Sequence, residues 1–227
     1  MDIIVCLAVA VAAYLLGSIP TGYLVGRARG VDVRKVGSGN IGATNVFRTL
    51  GKTAGVLVLA ADGMKGWLAV SIVPDLAHRL FSPNSPWDRP TREYLQIVAG
   101  VVAILGHNYT CWLKFKGGKG IATTAGAMAA LIPLTVAIAL ATWILACLLT
   151  RYVSVASIMA AVMLPVATWA IHHFTHNEDY GHRMIILAGI LGLLAIYKHK
   201  GNLERLMNGT ENKIGQKAPS ATGAPPP

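Results

Sequence analysis

Acidic residues are scarce in this chain, and so is charge of any kind. Asp and Glu number 10 against 20 Lys and Arg, and the four charged types make up only 13% of 227 residues. An ordinary soluble domain carries about a quarter charged residues, so the deficit excludes a conventional water-exposed surface. Cysteine is also rare. Cys6, Cys111 and Cys147 match neither metal-ligand spacing nor a disulfide framework, and two lie inside apolar runs, so all three read as reduced and structural. No Gly-x-x-x-x-Gly-Lys-Ser/Thr segment is present, which excludes a Walker nucleotide site, and no internal repeat stands out.

What the chain has instead is apolar sequence: 54% hydrophobic residues and a mean hydropathy of +0.53. The basic excess sits in short segments between apolar runs, not in a stripe or tail, which argues against nucleic acid as a partner. Residues 1–215 read as one polytopic helical membrane domain in contact with lipid. Residues 216–227, rich in Pro and Ala and without an apolar period, read as a disordered tail.

The first apolar run, Ile3 to Val25, lacks the basic flank of a signal peptide. As one helix it reaches about 34 Å, enough to cross a hydrocarbon core of roughly 30 Å. Further runs cover Thr53–Pro74, Tyr94–Leu105, Ile121–Ile132, Leu134–Leu149, Val153–Ile171 and Met184–Tyr197. A single helix from Ile121 to Thr150 reaches about 45 Å, more than a bilayer needs, so Pro133 is read as separating two helices. Charge agrees. Seven spans with the amino terminus outside leave only Arg79, Arg89, Arg92 and Arg183 on the outer side, whereas six spans send the basic segment after Tyr197 outward. The expected fold is therefore all-α: seven transmembrane helices, amino terminus outside, carboxyl terminus cytoplasmic, and three motif-bearing cytoplasmic segments.

The first such segment, Gly37-Ser38-Gly39-Asn40-Ile41-Gly42-Ala43-Thr44-Asn45-Val46, ends toward Arg48. It offers a hydroxyl at Ser38, amides at Asn40 and Asn45, and a planar fork at Arg48 suited to two phosphate oxygens. A turn followed by an interfacial cation is the plainer reading; the density of polar groups favours binding. The second runs from Gly106-His107 to Gly117-Gly118-Lys119-Gly120 at a helix start. Backbone amides there suit an oxyanion, and Lys119 adds a full charge. His107 and Asn108 read as capping or bracing the third span. In the third, His199 and Asn202 stand three residues apart, on one face if the last helix continues inward. Asp62 and Lys65, costly in lipid, read as an ion pair beside the site, with direct ligand contact by Lys65 the lesser alternative. Ser154 and Ser157 either reach the same pocket or bond their own helix carbonyls.

Taken together, the three segments resemble the bacterial acyl-phosphate:glycerol-3-phosphate acyltransferase (PlsY) family, over nearly the whole chain before the tail. The resemblance implies seven spans in a bacterial plasma membrane, no cofactor or metal, and a site on the cytoplasmic side. It implies transfer of a fatty acyl group from acyl phosphate to glycerol 3-phosphate, giving 1-acyl-glycerol 3-phosphate and phosphate, the first acylation of phospholipid synthesis. Ser38, His199 and Asn202 take the catalytic positions. Arg48 and Lys119, with Gly117, Gly118, Gly120, Thr44 and Asn45, take the phosphate-binding ones, and Glu211 is structural. Asn40, Ser154, Ser157 and Lys65 are further candidates, and association with the enzyme that makes acyl phosphate stays open. Whether His199 or the donor phosphate accepts the hydroxyl proton also stays open.

Competing classes fit less well. No histidine has aspartate five positions on, as an acyl-CoA-dependent His-x4-Asp enzyme requires, and no series of aspartates supports a metal-dependent phosphotransferase. A transporter of a phosphorylated solute would suit the broken apolar segments and intramembrane charges, but the polar residues gather on one side of the expected bundle.

Overall fold

Pro20 sets the first turn of the architecture. The computed structural model describes residues 2–215, which are helical or irregular with no strand among them. α1 (Ile3–Ser18) is capped by Asp2, whose carboxylate accepts from the Ile4 amide at 3.0 Å. The helix stops because Pro20 has no N–H and its ring would crowd the Leu16 carbonyl; the chain resumes as α2 (Thr21–Ala28). The continuous span expected over residues 3–25 is thus two helices. The break releases the Ile19 carbonyl, which accepts from Lys65 Nζ at 2.9 Å.

α3 (Ala43–Leu50) is a second correction: Thr44, Asn45 and Arg48, read as part of a glycine-rich loop, lie on a short helix. α4 (Lys52–Ser71) leads into α5 (Val73–Phe81), which continues beyond Pro74, where the sequence reading ended the span. Proline falls in the first turn of α5, where its missing N–H costs little. α6 (Arg89–Asn108) begins at Asp88, whose side chain accepts from the Thr91 amide at 3.0 Å. α7 (Ile121–Leu131) and α8 (Pro133–Thr150) are separate helices, as length and Pro133 required. α9 (Val153–Thr175), α10 (His182–Lys198) and α11 (Lys200–Met207) complete the bundle. The tail expected over residues 216–227 lies outside the described residues.

Among the described residues, five segments are long and apolar enough to cross a membrane: Ile3–Ala28, Lys52–Phe81, Pro133–Thr150, Val153–Thr175 and Glu178–Lys198. α7, at 11 residues, is a shorter apolar helix. Large apolar side chains stand on the outside of the bundle, Leu148 at 75% and Leu193 at 70% exposure, as expected of helices that are apolar on all faces.

α1 packs on α6, α4 on α7, and α9 on both α8 and α10. Val70, Ile104, Met128, Leu164 and Leu187 join five of these helices in one core cluster. α4 and α7 approach so closely that a Cβ at Gly66 would strike the Thr123 carbonyl, and one at Gly126 the Gly63 carbonyl. Small residues at such contacts let helices pack where burial from water supplies no driving force. One end of the bundle collects α2, α3, α11, the carboxyl ends of α6, α8 and α10, and the amino ends of α7 and α9. At the other end Ser82 bonds Asp2, and Arg89 pairs with Asp179.

Candidate active site

A cavity of about 280 Å³ opens among these helix ends, and all three motif segments reach it. Ser38, Arg48, Lys119, His199, Asn202 and Glu211 line its polar part, and Leu59, Val136, Leu140, Trp143, Leu164 and Leu191 its apolar part. One chamber therefore joins a charged pocket to a hydrocarbon-like slot.

Three helix amino termini border the polar part. Gly42, Ala43 and Thr44 begin α3, Gly120, Ile121 and Ala122 begin α7, and Val153 and Ser154 begin α9. None of the three has a side-chain cap, so their first amides and the positive ends of their dipoles are available to an anion. Two cations add to this. Arg48 is half-buried and donates to the Asn212 carbonyl at 3.0 Å; burial draws its pKa down. Lys119 is drawn down to about 8, foremost by burial, with Arg205, Arg48 and Lys198 adding repulsion and Glu211 opposing the shift.

Glu211 fastens the third segment. Its Oε1 accepts from Asn202 Nδ2 at 2.7 Å and Ser154 Oγ at 3.0 Å, and its Oε2 from Arg205 Nε at 2.7 Å. Burial alone would raise its pKa, but bonds from Asn202, Arg205 and Ser154 outweigh it and hold the carboxyl below its usual value. Asn202 in turn offers Oδ1 to Lys119 Nζ, so both polar ends of Asn202 are engaged. It links Lys119 to Glu211 at the cavity wall. His199, between α10 and α11, donates from Nδ1 to the Ala195 carbonyl at 2.8 Å, which leaves Nε2 as an acceptor. Burial, with Lys119 beside it, takes its pKa down to about 4, so the imidazole is neutral at physiological pH.

Several other residues read from the sequence take different roles. Asn45 Oδ1 accepts from the Ser38 amide at 2.8 Å, and its Nδ2 donates to the carbonyls of Val33 at 2.9 Å and Val36 at 3.1 Å. Its carboxamide is spent on folding the first segment and is not free for phosphate. Asn40 accepts from the Gly42 amide at 2.8 Å. The amides of Gly117 and Gly118, expected to face an anion, donate to the carbonyls of Asn108 at 3.2 Å and His107 at 3.0 Å. The end of α6 thereby braces the glycine segment, and Gly120 with the start of α7 is the part that borders the cavity. Thr44, Ser154 and Ser157 line it as well; Ser157 accepts from Trp143 Nε1 at 3.2 Å. Lys65 does not line it: buried, it pairs with Asp62 at 2.9 Å and bonds Ile19.

Two residues that the sequence reading left out of the site, Asp62 and His107, do line the cavity. A charge within a span was the available signal for Asp62, and the sequence placed it beside the site; His107 opens the second motif segment but reads there as capping or bracing the third span. Thr21 Oγ1 donates to Asp62 Oδ1 at 2.6 Å. Thr21 is the first residue of α2, directly after the break at Pro20.

Known proteins resemble this chain over most of its length. A family model described as glycerol-3-phosphate acyltransferase matches residues 7–209. The chain is 42% identical over 205 residues to a glycerol-3-phosphate acyltransferase of Fusobacterium nucleatum, covering 90% of this chain and 95% of that one. It is 43% identical over 205 residues to one of Geobacter sulfurreducens, covering 89% and 94%. Among solved structures it is similar to PlsY (YgiH), an integral membrane glycerol 3-phosphate acyltransferase, in its glycerol 3-phosphate form. The TM-score is 0.77 at 36% identity, covering 92% of this chain and 96% of that one. The same protein in its lysophosphatidic acid form gives 0.75 at 35%, covering 92% and 95%. Neighbours that are integral membrane proteins, together with the apolar helices, make this a multi-pass membrane protein. The chain belongs to the glycerol-3-phosphate acyltransferase family.

Proposed function

We propose that the protein transfers a fatty acyl group from acyl phosphate to glycerol 3-phosphate, giving 1-acyl-glycerol 3-phosphate and inorganic phosphate, the first acylation of phospholipid synthesis. The observation that carries this reading is one cavity in which three uncapped helix starts, Arg48 and Lys119 meet a slot of Leu, Val and Trp side chains. Both substrates bring a phosphate and one brings a hydrocarbon chain. The solved relatives hold glycerol 3-phosphate and lysophosphatidic acid by name, which supports the acceptor and the product. We further read seven spans, α1, α4, α6, α7, α8, α9 and α10, with the amino terminus outside and the site at the cytoplasmic face of a bacterial plasma membrane, because that side then carries most of the cations.

In this reading Arg48, Lys119 and the helix starts hold the phosphates, while Ser38 and His199 Nε2 face the glycerol hydroxyl. The hydroxyl oxygen attacks the acyl carbonyl carbon and forms the ester bond. The bond from that carbon to the phosphate oxygen breaks, and the departing phosphate takes the hydroxyl proton. A histidine with a pKa of about 4 is a weak base at neutral pH, so the phosphate is assigned the proton and His199 the orientation of the hydroxyl. His199→Gln is therefore expected to lower kcat by no more than about 100-fold, the lower end for general-base loss, with the pH profile unchanged down through about 4, where this histidine titrates. Loss of an acidic limb in the variant would instead make His199 the base.

Lys119 gives a second expectation. It is charged below its pKa of about 8 and neutral above it, so KM for the phosphate substrates rises as pH climbs through 8. Lys119→Arg, which stays charged, removes that rise. Steady-state kinetics from pH 6.5 to 9.5 with both proteins checks it; parallel curves would refute it.

A further inference from the structure

Two polar walls face the cavity, and the reaction as read above uses one of them. His199, Asn202, Ser154 and Glu211 belong to the wall built from α9 to α11 and the segment after it. The other wall is Asp62 from α4 and His107 from α6, both buried, at 2% and 5% exposure. Asp62 is fixed: Oδ1 accepts from Thr21 Oγ1 at 2.6 Å and Lys65 Nζ lies 2.9 Å away. His107 Nδ1 faces the same carboxylate oxygen at 3.6 Å and has no hydrogen-bond partner of its own. The Asp62 carboxylate, an acceptor only, favours the tautomer with the proton on Nδ1, which makes Nε2 a hydrogen-bond acceptor. Nε2 lies against Gly118, and a Cβ at that position would fall on the nitrogen. Only glycine at 118 leaves room for the ring in this position, at the cavity wall, while the backbone of the same residue is tied to the His107 carbonyl.

We propose that His107 reads the second, non-reacting hydroxyl of the glycerol acceptor, with Asp62 as the positioning residue that sets its tautomer and ring orientation. The inference rests on the acyl-transfer reading. A three-carbon acceptor with phosphate at one end presents one hydroxyl to be acylated and one that is spared. Ser38 and His199 face the first. Thr21 and Lys65 occupy Asp62, so the acceptor this wall supplies for the second is His107 Nε2. A site built to bond a hydroxyl rejects the analogue lacking it, because a buried polar atom is then left unpaired.

The test compares glycerol 3-phosphate with 1,3-propanediol monophosphate, which keeps the reacting hydroxyl and lacks the other. It uses the full-length protein in lipid with palmitoyl phosphate as donor. Wild type is expected to prefer glycerol 3-phosphate at least tenfold in kcat/KM. His107→Leu should lose that preference by falling on glycerol 3-phosphate alone, whereas His107→Gln, which retains an acceptor, should keep part of it. A merely structural His107 would lower both substrates together, and that outcome overturns the assignment. If His107→Leu does not fold, the wild type still decides, since equal kcat/KM for the two acceptors overturns this inference alone. Turnover of neither acceptor by folded wild type overturns the acyl-transfer reading and this inference with it.

Discussion

Arg48→Ala and Lys119→Ala are each expected to lower kcat/KM for acyl transfer by about 100- to 1,000-fold, the range measured when one preorganised donor to developing negative charge is removed. The two side chains approach the cavity from different elements, Arg48 from α3 and Lys119 from the turn before α7, and both carry their charge into a partly buried setting. A phosphate between them gains charge-assisted bonds that water cannot match at that depth. Arg48→Lys should recover part of the loss, because charge returns without the fork. The measurement is product formed from palmitoyl phosphate and labelled glycerol 3-phosphate by protein whose melting temperature matches wild type. Palmitoyl-CoA serves as the contrasting donor, and no product is expected from it. Undiminished turnover in both alanine variants would remove the phosphate pocket from the reaction.

The second large effect is on the fold. Gly66→Val should lower thermal stability in detergent severely, by more than the roughly 1–3 kcal/mol typical of overpacking. The atoms that the new side chain would strike are the backbone of α7, at the Thr123 carbonyl and the Ala127 amide, and not the mobile end of a side chain. α7 begins at Gly120 beside Lys119, so a displaced α7 also carries the phosphate pocket away and activity should fall with stability. Gly189→Ala in α10 is the control, because nothing lies within 4 Å of its added Cβ. It should stabilise slightly through helix propensity, by up to about 1 kcal/mol. Equal melting temperatures for Gly66→Val and wild type would show that α4 and α7 can separate without cost.

Hydropathy alone carried the helical class and the approximate place of each long helix, because lipid-facing and buried faces are both apolar and the signal does not depend on what a helix packs against. The split at Pro133 was legible for a local reason, the missing N–H combined with excess length. The same chemistry at Pro20 was passed over, since the run from Ile3 to Val25 was the right length for one span and nothing nearby in sequence signalled the Lys65 and Thr21 contacts that occupy the break. α3 was hidden by the glycines before it and by its shortness. The motif residues themselves stood out because charge and glycine are conspicuous in an apolar chain.

Which groups those residues bond depends on contacts distant in sequence. Only tertiary structure brings Asn202 between Lys119 and Glu211, 83 and 9 residues away in sequence. Only the fold shows that the Gly117 and Gly118 amides are consumed by the end of α6, that Asn45 is spent on its own segment, and that Asp62 meets His107 at the cavity wall. A residue's type, and the solvent it prefers, are properties of the chain and can be read from it. Which donor meets which acceptor depends on helix crossings fixed by packing, and each such bond, once made, removes a group from the set available to substrate.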